Sequence, residues 1–136
     1  MGRSGYAEAD DCENVGLWRA AVARAINGKR GQAFLREMAD ALDAMPVKEL
    51  VADEVVRDDG HVCAIGAVAV ARKLSVVGLD VYDQDEVART FGIARALAAE
   101  IAFENDDDFS RHRSETPAQR WQRMREWVDA QLLPET

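Results

Sequence analysis

The side chains that could do chemistry are few, and none of them stands in a catalytic or metal-binding spacing. The two histidines, His61 and His112, belong to neither a His-x-x-x-His nor a Cys-x-x-Cys pattern. Because zinc takes three protein ligands even in catalytic sites, His61 and Cys63 would need a distant third ligand to bind it. A nucleophilic Cys63 would need a base and an electropositive, partly exposed setting, which its Ala-rich apolar surroundings disfavour.

Three consecutive acids, Asp106, Asp107 and Asp108, offer the oxygen ligands that hard cations prefer. A calcium loop also needs alternating ligands around a glycine and a terminal Glu, and this stretch has neither. We interpret these acids, together with Glu104, as a solvated surface and as the candidate binding site for a basic protein partner. We therefore expect no catalytic residue, no metal site and no cofactor.

One block of positive charge interrupts an otherwise acidic chain, whose formal net charge is −8. Residues 16–36 contain five basic residues and no acid. Within this block, Lys29, Arg30 and Gly31 form a basic turn at the start of a predicted helix, where free N–H groups favour anions. The turn is a candidate anion-binding site. The alternative, which we favour, is a solvated helix tip whose cations pair with the protein's own carboxylates.

Helical periodicity accounts for most of the elements that would position these side chains. The predicted helices lie near 15–26, 31–45, 63–74, 85–91, 94–103 and 117–132. The run Val62–Leu74 is apolar on nearly every side, which predicts a buried central helix. Between the second and third helices, a turn signal at Asp58–Gly60 allows at most a short β-ribbon. The predicted fold class is mainly α, a compact bundle of five to six helices.

Residues 84–103 have the spacing of a helix-turn-helix, with Gly92 at the turn and Asp83 as the cap of the first helix. Charge disfavours DNA reading by this pair, because residues 78–108 hold nine acids and two arginines, a local charge of −7. A tight DNA binder instead presents cations to about six to ten phosphates. We interpret the pair as two packed helices of the core.

Length and composition favour one soluble domain of 136 residues with a real apolar core, since 48% of the residues are hydrophobic. We expect a mobile lead-in at 1–13, a helical core at 14–132 and a polar loop at 105–115. Two cysteines, no apolar run of about 18 residues and no signal-peptide pattern favour a reducing cytoplasm without membrane contact. The negative charge disfavours nucleic acid and favours a basic partner.

Several segments together resemble a family of small uncharacterised proteins encoded by tailed phages and prophages. They are Met1–Tyr6, Ala25–Leu35, Ala41–Pro46, Val62–Ala67, Glu104–Asp106, Thr116-Pro117 and Arg120–Arg125. The resemblance spans most of the chain and implies an origin and a setting in a bacterial host. It implies no activity.

The leading hypothesis is a non-enzymatic phage or prophage accessory protein that acts by protein–protein contacts in the bacterial cytoplasm. A host regulatory or defence protein is the candidate target. The alternative is a nucleic-acid-binding regulator that uses the helix-turn-helix-like pair or the basic turn at 28–31. A small hydrolase or metal enzyme is a third, weaker class.

Overall fold

The computed structural model describes residues 12–106 and 115–134, and within these ranges it contains six α-helices and no strand. The helices are α1 (Cys12–Asn27), α2 (Lys29–Ala44), α3 (Ala64–Arg72), α4 (Gln84–Phe91), α5 (Arg95–Asp106) and α6 (Pro117–Gln131). The predicted mainly-α bundle is confirmed. Of the predicted ribbon, a single antiparallel bridge between Val56 and Val62 is present.

Helix α5 is the central element, because it packs against α1, α3, α4 and α6. Half of its residues are buried; they are Leu97, Ala98, Ala99, Ile101, Ala102 and Asn105. The sequence predicted α3 as the buried central helix, and this is correct only for Ala64–Ala69. The last turn of α3 reaches the surface, where Val70 is 62% exposed. Composition alone did not show which Ala-rich helix has neighbours on all sides.

A single residue, Gly28, joins α1 to α2, and a second glycine lets the two helices meet. A Cβ on Gly31 would lie 1.8 Å from the carbonyl oxygen of Ala25, so every other residue would collide there. The buried Gln32 donates to the carbonyl of Ile26 at 2.9 Å and accepts from the N–H of Leu133 at 2.8 Å. This corner is thereby tied to the end of α6.

The irregular segment between α2 and α3 is anchored by the side chain of Asn105. Its amide accepts from the N–H of Ala64 and donates to the carbonyl of Val51, both at 3.0 Å. It therefore caps the start of α3, whose own N-cap residue provides no side-chain bond. The segment also approaches α3 closely, since a Cβ on Gly66 would lie 2.0 Å from the carbonyl oxygen of Val55.

Two predicted boundaries are wrong in part. Asn105 was expected in the polar loop 105–115, but α5 continues to Asp106, and Asn105 is only 2% exposed. The predicted lead-in 1–13 overlaps α1, which begins at Cys12. Residues 1–11 and 107–114 lie outside the described ranges, so the remainder of both predictions is not tested.

Helix α6 starts as its sequence predicts and closes the bundle. Thr116 and Gln119 form a reciprocal capping box, with N–H to side-chain distances of 3.1 and 2.9 Å. The indole of Trp121 donates to the carbonyl of Leu42 on α2 at 3.1 Å. Met124 and Val128 are fully buried. The helix is therefore fixed against α2 by this hydrogen bond, by the ion pair of Arg125 with Asp43 at 2.8 Å, by a bond from Gln32 to the Gln131 carbonyl and by an apolar stripe.

We predict that Asn105→Ala lowers the free energy of unfolding by about 2 to 4 kcal/mol, because it leaves two buried backbone groups without partners. Urea unfolding followed by circular dichroism measures this change. The exposed Gln122→Ala on α6 is the control and should stay within about 0.5 kcal/mol of the wild type. Equal stability of both variants would contradict the anchoring role of Asn105.

Helix α5 also carries a half-buried carboxyl group, Glu100, whose pKa is raised to about 7 by burial and by the nearby Glu104. Between its ordinary value of 4.5 and about 7, the folded state binds the proton more strongly than the unfolded state does. Stability therefore falls as pH rises through this window. We predict that Glu100→Gln raises the free energy of unfolding above that of the wild type by about 1 to 2 kcal/mol at pH 8, and by much less at pH 4.5. The figure is reduced because the carboxyl group is partly in contact with solvent. A pH-independent difference in urea unfolding would refute this.

Candidate functional site

An apolar groove opens at the end of α2, between the 45–49 segment, the 59–62 turn and the exposed end of α3. Its walls are mainly Ala41, Met45, Val47, Val62, Ala67 and Val70. It encloses about 390 Å³. This volume falls within the usual range of small-molecule and cofactor sites, which are apolar clefts with a few polar groups. The groove is therefore the candidate functional site.

The end of α2 and the following turn shape one side of the groove. Met45 leaves the helix in an extended conformation, and Pro46 prevents the helix from continuing. Lys48 folds back, and its ammonium group donates to the carbonyls of Asp43, at 2.6 Å, and Met45. These bonds satisfy carbonyls that the helix end leaves open. They place Val47 at the edge of the groove.

A tight turn forms the opposite side of the groove. The Asp59 carboxylate accepts from the backbone N–H of His61 at 3.1 Å and pairs with Arg57. The N–H of Arg57 donates to the carbonyl of His61 at 2.7 Å. Asp59 and Gly60 thus supply the turn that the sequence signalled, and Gly60 has the positive φ, 88°, that such turns favour.

The polar groups at the groove are predominantly acidic. Glu49, Asp59 and His61 line it, and no Lys or Arg does. The His61 ring lies between the two carboxylates, with Nδ1 3.1 Å from Asp59 and Nε2 3.7 Å from Glu49. The backbone N–H of His61, helped by Arg57, lowers the pKa of Asp59 to about 2. Asp59 is consequently ionised at neutral pH, and because Arg57 offsets its charge, the negative charge of the rim comes mainly from Glu49.

Two apolar side chains at the rim remain accessible to solvent. Val47 is 57% exposed and Val70 is 62% exposed. Both line the groove, and they stand on different elements. Sequence reasoning missed this site, because Val70 continued a run that was expected to be buried. The available signal was Pro46, which ends α2 immediately before an exposed valine.

The structure places Cys63 and His61 in different surroundings. Cys63 is buried in the core at 2% exposure, whereas His61 stands on the exposed turn. Burial raises the pKa of the Cys63 thiol to about 12, so the thiolate is scarce at neutral pH. In the part of the chain that the structure describes, no three His, Cys, Asp or Glu side chains form a metal-binding group. His112 lies outside that part.

The proposed acidic partner site is only partly described, since Asp107 and Asp108 lie outside the described ranges. Asp106 is bonded internally. Its carboxylate accepts from Asn105 at 2.9 Å and from the N–H of Asp53 at 3.2 Å, and it contacts the Tyr82 hydroxyl. Glu104 is half-buried, and its carbonyl accepts from Arg123. Asp106 therefore stabilises the fold, whereas the sequence suggested that it contacts a partner.

The helix-turn-helix-like pair forms, but its second helix is buried. Gly92 ends α4 with a positive φ of 73°, and its N–H donates to Ala88 at 2.9 Å. A recognition helix needs an exposed face that can enter a DNA groove. In α5 the only exposed residue is Arg95, which pairs with Asp85 at 3.1 Å. The burial agrees with the interpretation of two packed core helices.

The three residues of the basic turn have different surroundings. Lys29 and Arg30 are exposed in the first turn of α2, as the sequence predicted for a surface site. Gly31 is buried against α1 and serves the helix contact described above. The structure thus leaves two of these three residues available to a ligand.

Comparisons with protein-family models, with curated proteins and with solved structures found no match to this chain. No helix in the described ranges combines the length and the apolar character needed to cross a membrane.

We predict that the buried Cys63 thiol is unreactive in the folded protein. In a Cys12→Ser variant, which leaves Cys63 as the only thiol, Ellman's reagent at pH 8 should react about a hundredfold more slowly than after unfolding in urea. Fast reaction of the folded variant would show that Cys63 is accessible and activated, and it would revive the nucleophile hypothesis.

Proposed function

We propose that this protein is a non-enzymatic accessory protein of a phage or prophage that acts by protein–protein contacts in the bacterial cytoplasm. Its groove receives apolar side chains from a positively charged segment of the partner. The observation that carries this proposal is the acidic-rimmed apolar groove at the end of α2. A host regulatory or defence protein is the target class, an inference from the resemblance to phage-encoded proteins.

The exposed rim favours a protein segment over a small molecule. Val47 and Val70 are each more than half exposed, so a bound chain that extends over the rim would cover more of their surface than a small molecule confined to the groove. Exposed apolar groups surrounded by polar residues are typical of protein interfaces. Burying apolar surface contributes about 25 cal/mol per Å², so covering these valines would strengthen the complex.

Charge selects the kind of segment. The rim has two carboxylates, Glu49 and Asp59, and the whole chain has a net charge of −8. A segment with Lys or Arg beside its apolar residues would be attracted to this rim, and an acidic segment would be repelled. The expected ligand is therefore a short motif with apolar residues flanked by basic ones.

The chemistry at the groove supports a binding role. His61 between two carboxylates resembles an oriented base, but a nucleophile is also needed for covalent catalysis. The residues that line the groove, all within the described ranges, include no Ser, Thr, Cys, Lys or Tyr, and its two carboxylates are engaged, Asp59 with Arg57 and His61 and Glu49 with His61. The nearest cysteine in sequence, Cys63, is buried in the core.

We predict that a selection from a random peptide display library yields peptides with apolar residues flanked by Lys or Arg. A fluorescent consensus peptide should then bind about tenfold more weakly to Val47→Asp and to Val70→Asp, because each places a charge on the apolar wall. Glu49→Gln and added salt should also weaken binding. Fluorescence anisotropy measures all four effects.

The matched control is Val77→Asp, because Val77 is 96% exposed and lies outside the groove. This variant should bind the peptide as the wild type does. Peptides without the apolar and basic pattern would refute the proposed ligand class. Binding that is unaffected by Val47→Asp and Val70→Asp would refute the groove, and tight binding of a small apolar compound alone would indicate a small-molecule site.

A further inference from the structure

A second surface, distinct from the groove, collects four cations at the junction of α1 and α2. We call it the cationic face and define it by Arg19, Arg24, Lys29 and Arg30. All four are exposed. No carboxylate in the described ranges forms an ion pair with any of them. The expectation that these cations pair with the protein's own carboxylates is therefore wrong for the described residues.

The part of the face on α1 is smooth. Between Arg19 and Arg24 the exposed residues are small, and Ala20 and Ala23 are among them. The two arginines are about 7.5 Å apart along the axis and about 140° apart around it, since a helix rises about 1.5 Å and turns about 100° per residue. They therefore flank Ala20 and Ala23, and a charged partner that lies over these alanines can be reached by both long side chains.

The cations of the face on α2 stand where a helix favours acidic residues. The first turn of a helix favours acids, but α2 begins with Lys29 and Arg30, has no acid there and has no side-chain cap. Of its three acids, Glu37 pairs with Arg72, and Asp40 and Asp43 stand near the other end, where cations are preferred. Residues that act against the stability of their own helix are typical of functional positions. These cations are thus more suited to binding than to stability.

We infer that the cationic face binds the phosphate backbone of duplex nucleic acid without reading its sequence. Arg and Lys side chains and open helix N–H groups are the usual phosphate ligands. Beside the face, the one large apolar residue exposed among the described side chains is Leu17, whereas a protein interface needs a buried apolar centre. Among the same described side chains, none that is exposed is aromatic, since Trp18 is half-buried, so single-stranded bases have no exposed ring on which to stack. Base reading is not expected either, because α5 is buried.

The negative net charge limits the affinity without preventing the contact. The nearest acid on α2, Glu37, is neutralised by its ion pair with Arg72, and Asp40 lies about 16 Å from Lys29 along α2, which exceeds the Debye length of about 10 Å at 0.1 M salt. Repulsion from that end is therefore screened. Four phosphate contacts predict weak binding that falls with salt, with a logarithmic slope of about −3 to −4.

The test is fluorescence anisotropy of a labelled duplex DNA of about 20 base pairs at several salt concentrations. The wild type should bind with a dissociation constant of about 10⁻⁵ M or tighter at roughly 0.05 M salt, independently of sequence. Lys29→Ala with Arg30→Ala should weaken binding at least about tenfold and make the slope shallower by about 2. No binding by the wild type at that salt, or an unchanged slope in the variant, would overturn the inference.

Two control variants test whether binding depends on the cationic face or on total charge. Lys73→Ala with Arg89→Ala removes the same charge from exposed positions elsewhere and should retain binding within about twofold. Lys29→Glu with Arg30→Glu should abolish binding without lowering the melting temperature, because acids suit the start of α2. A lower melting temperature of the Lys29→Glu with Arg30→Glu variant would contradict the inference. So would a loss of DNA binding in the first control as large as the loss in Lys29→Ala with Arg30→Ala.

Competing polyanions decide the partner class. Polyaspartate and phosphatidylserine vesicles should displace the duplex poorly, and single-stranded DNA should bind more weakly than the duplex. Displacement by polyaspartate at equal charge would indicate an acidic protein and overturn the assignment to nucleic acid. Val70→Asp should leave DNA binding unchanged. The DNA experiment and the peptide experiment can therefore fail independently of each other.

Discussion

A buried amide is tolerated only when its hydrogen bonds are made, and Asn105 meets this condition with backbone groups of two other segments. Its side chain accepts from Ala64 and donates to Val51, while its carbonyl accepts from Arg120 at 2.9 Å and from Arg123. The residue therefore joins α5, α3, α6 and the segment before α3. This side chain helps to place that segment, and with it one wall of the groove, together with backbone bonds from Val51 to Val62 and from Cys63 to Val55.

The central position of α5 determines which surfaces are left for partners. Because its neighbours cover it, the pair that resembles a helix-turn-helix has no free second helix. The exposed apolar atoms lie instead where helices end, at Val47 after α2 and at Val70 in the last turn of α3. Helix ends and the turns after them tolerate such exposure, since few other elements pack there.

The two proposed surfaces lie at opposite ends of α2. Its first turn holds Lys29 and Arg30, and its last turn contributes Ala41 and Ala44 to the groove. The helix has 16 residues, so the two ends are about 22 Å apart. Charge is divided in the same way, with cations at the start and Asp40 and Asp43 near the end. This separation lets a basic protein segment and a polyanion bind without competing for the same side chains.

The sequence alone determined the helical elements, because apolar spacing, caps and proline stops are local. The start of α6 at Thr116 and Gln119 and the end of α4 at Gly92 required no knowledge of the rest of the chain. Tertiary structure decided which helix is central, since burial depends on neighbours that are distant in sequence. It also decided that Asn105 is a core residue, that Val70 is exposed and that the four cations of the cationic face form no ion pair with a carboxylate of the described ranges. The groove combines residues from 41 to 71 around an irregular segment. No local pattern specifies such a combination, because it arises only when α3 and α5 anchor that segment.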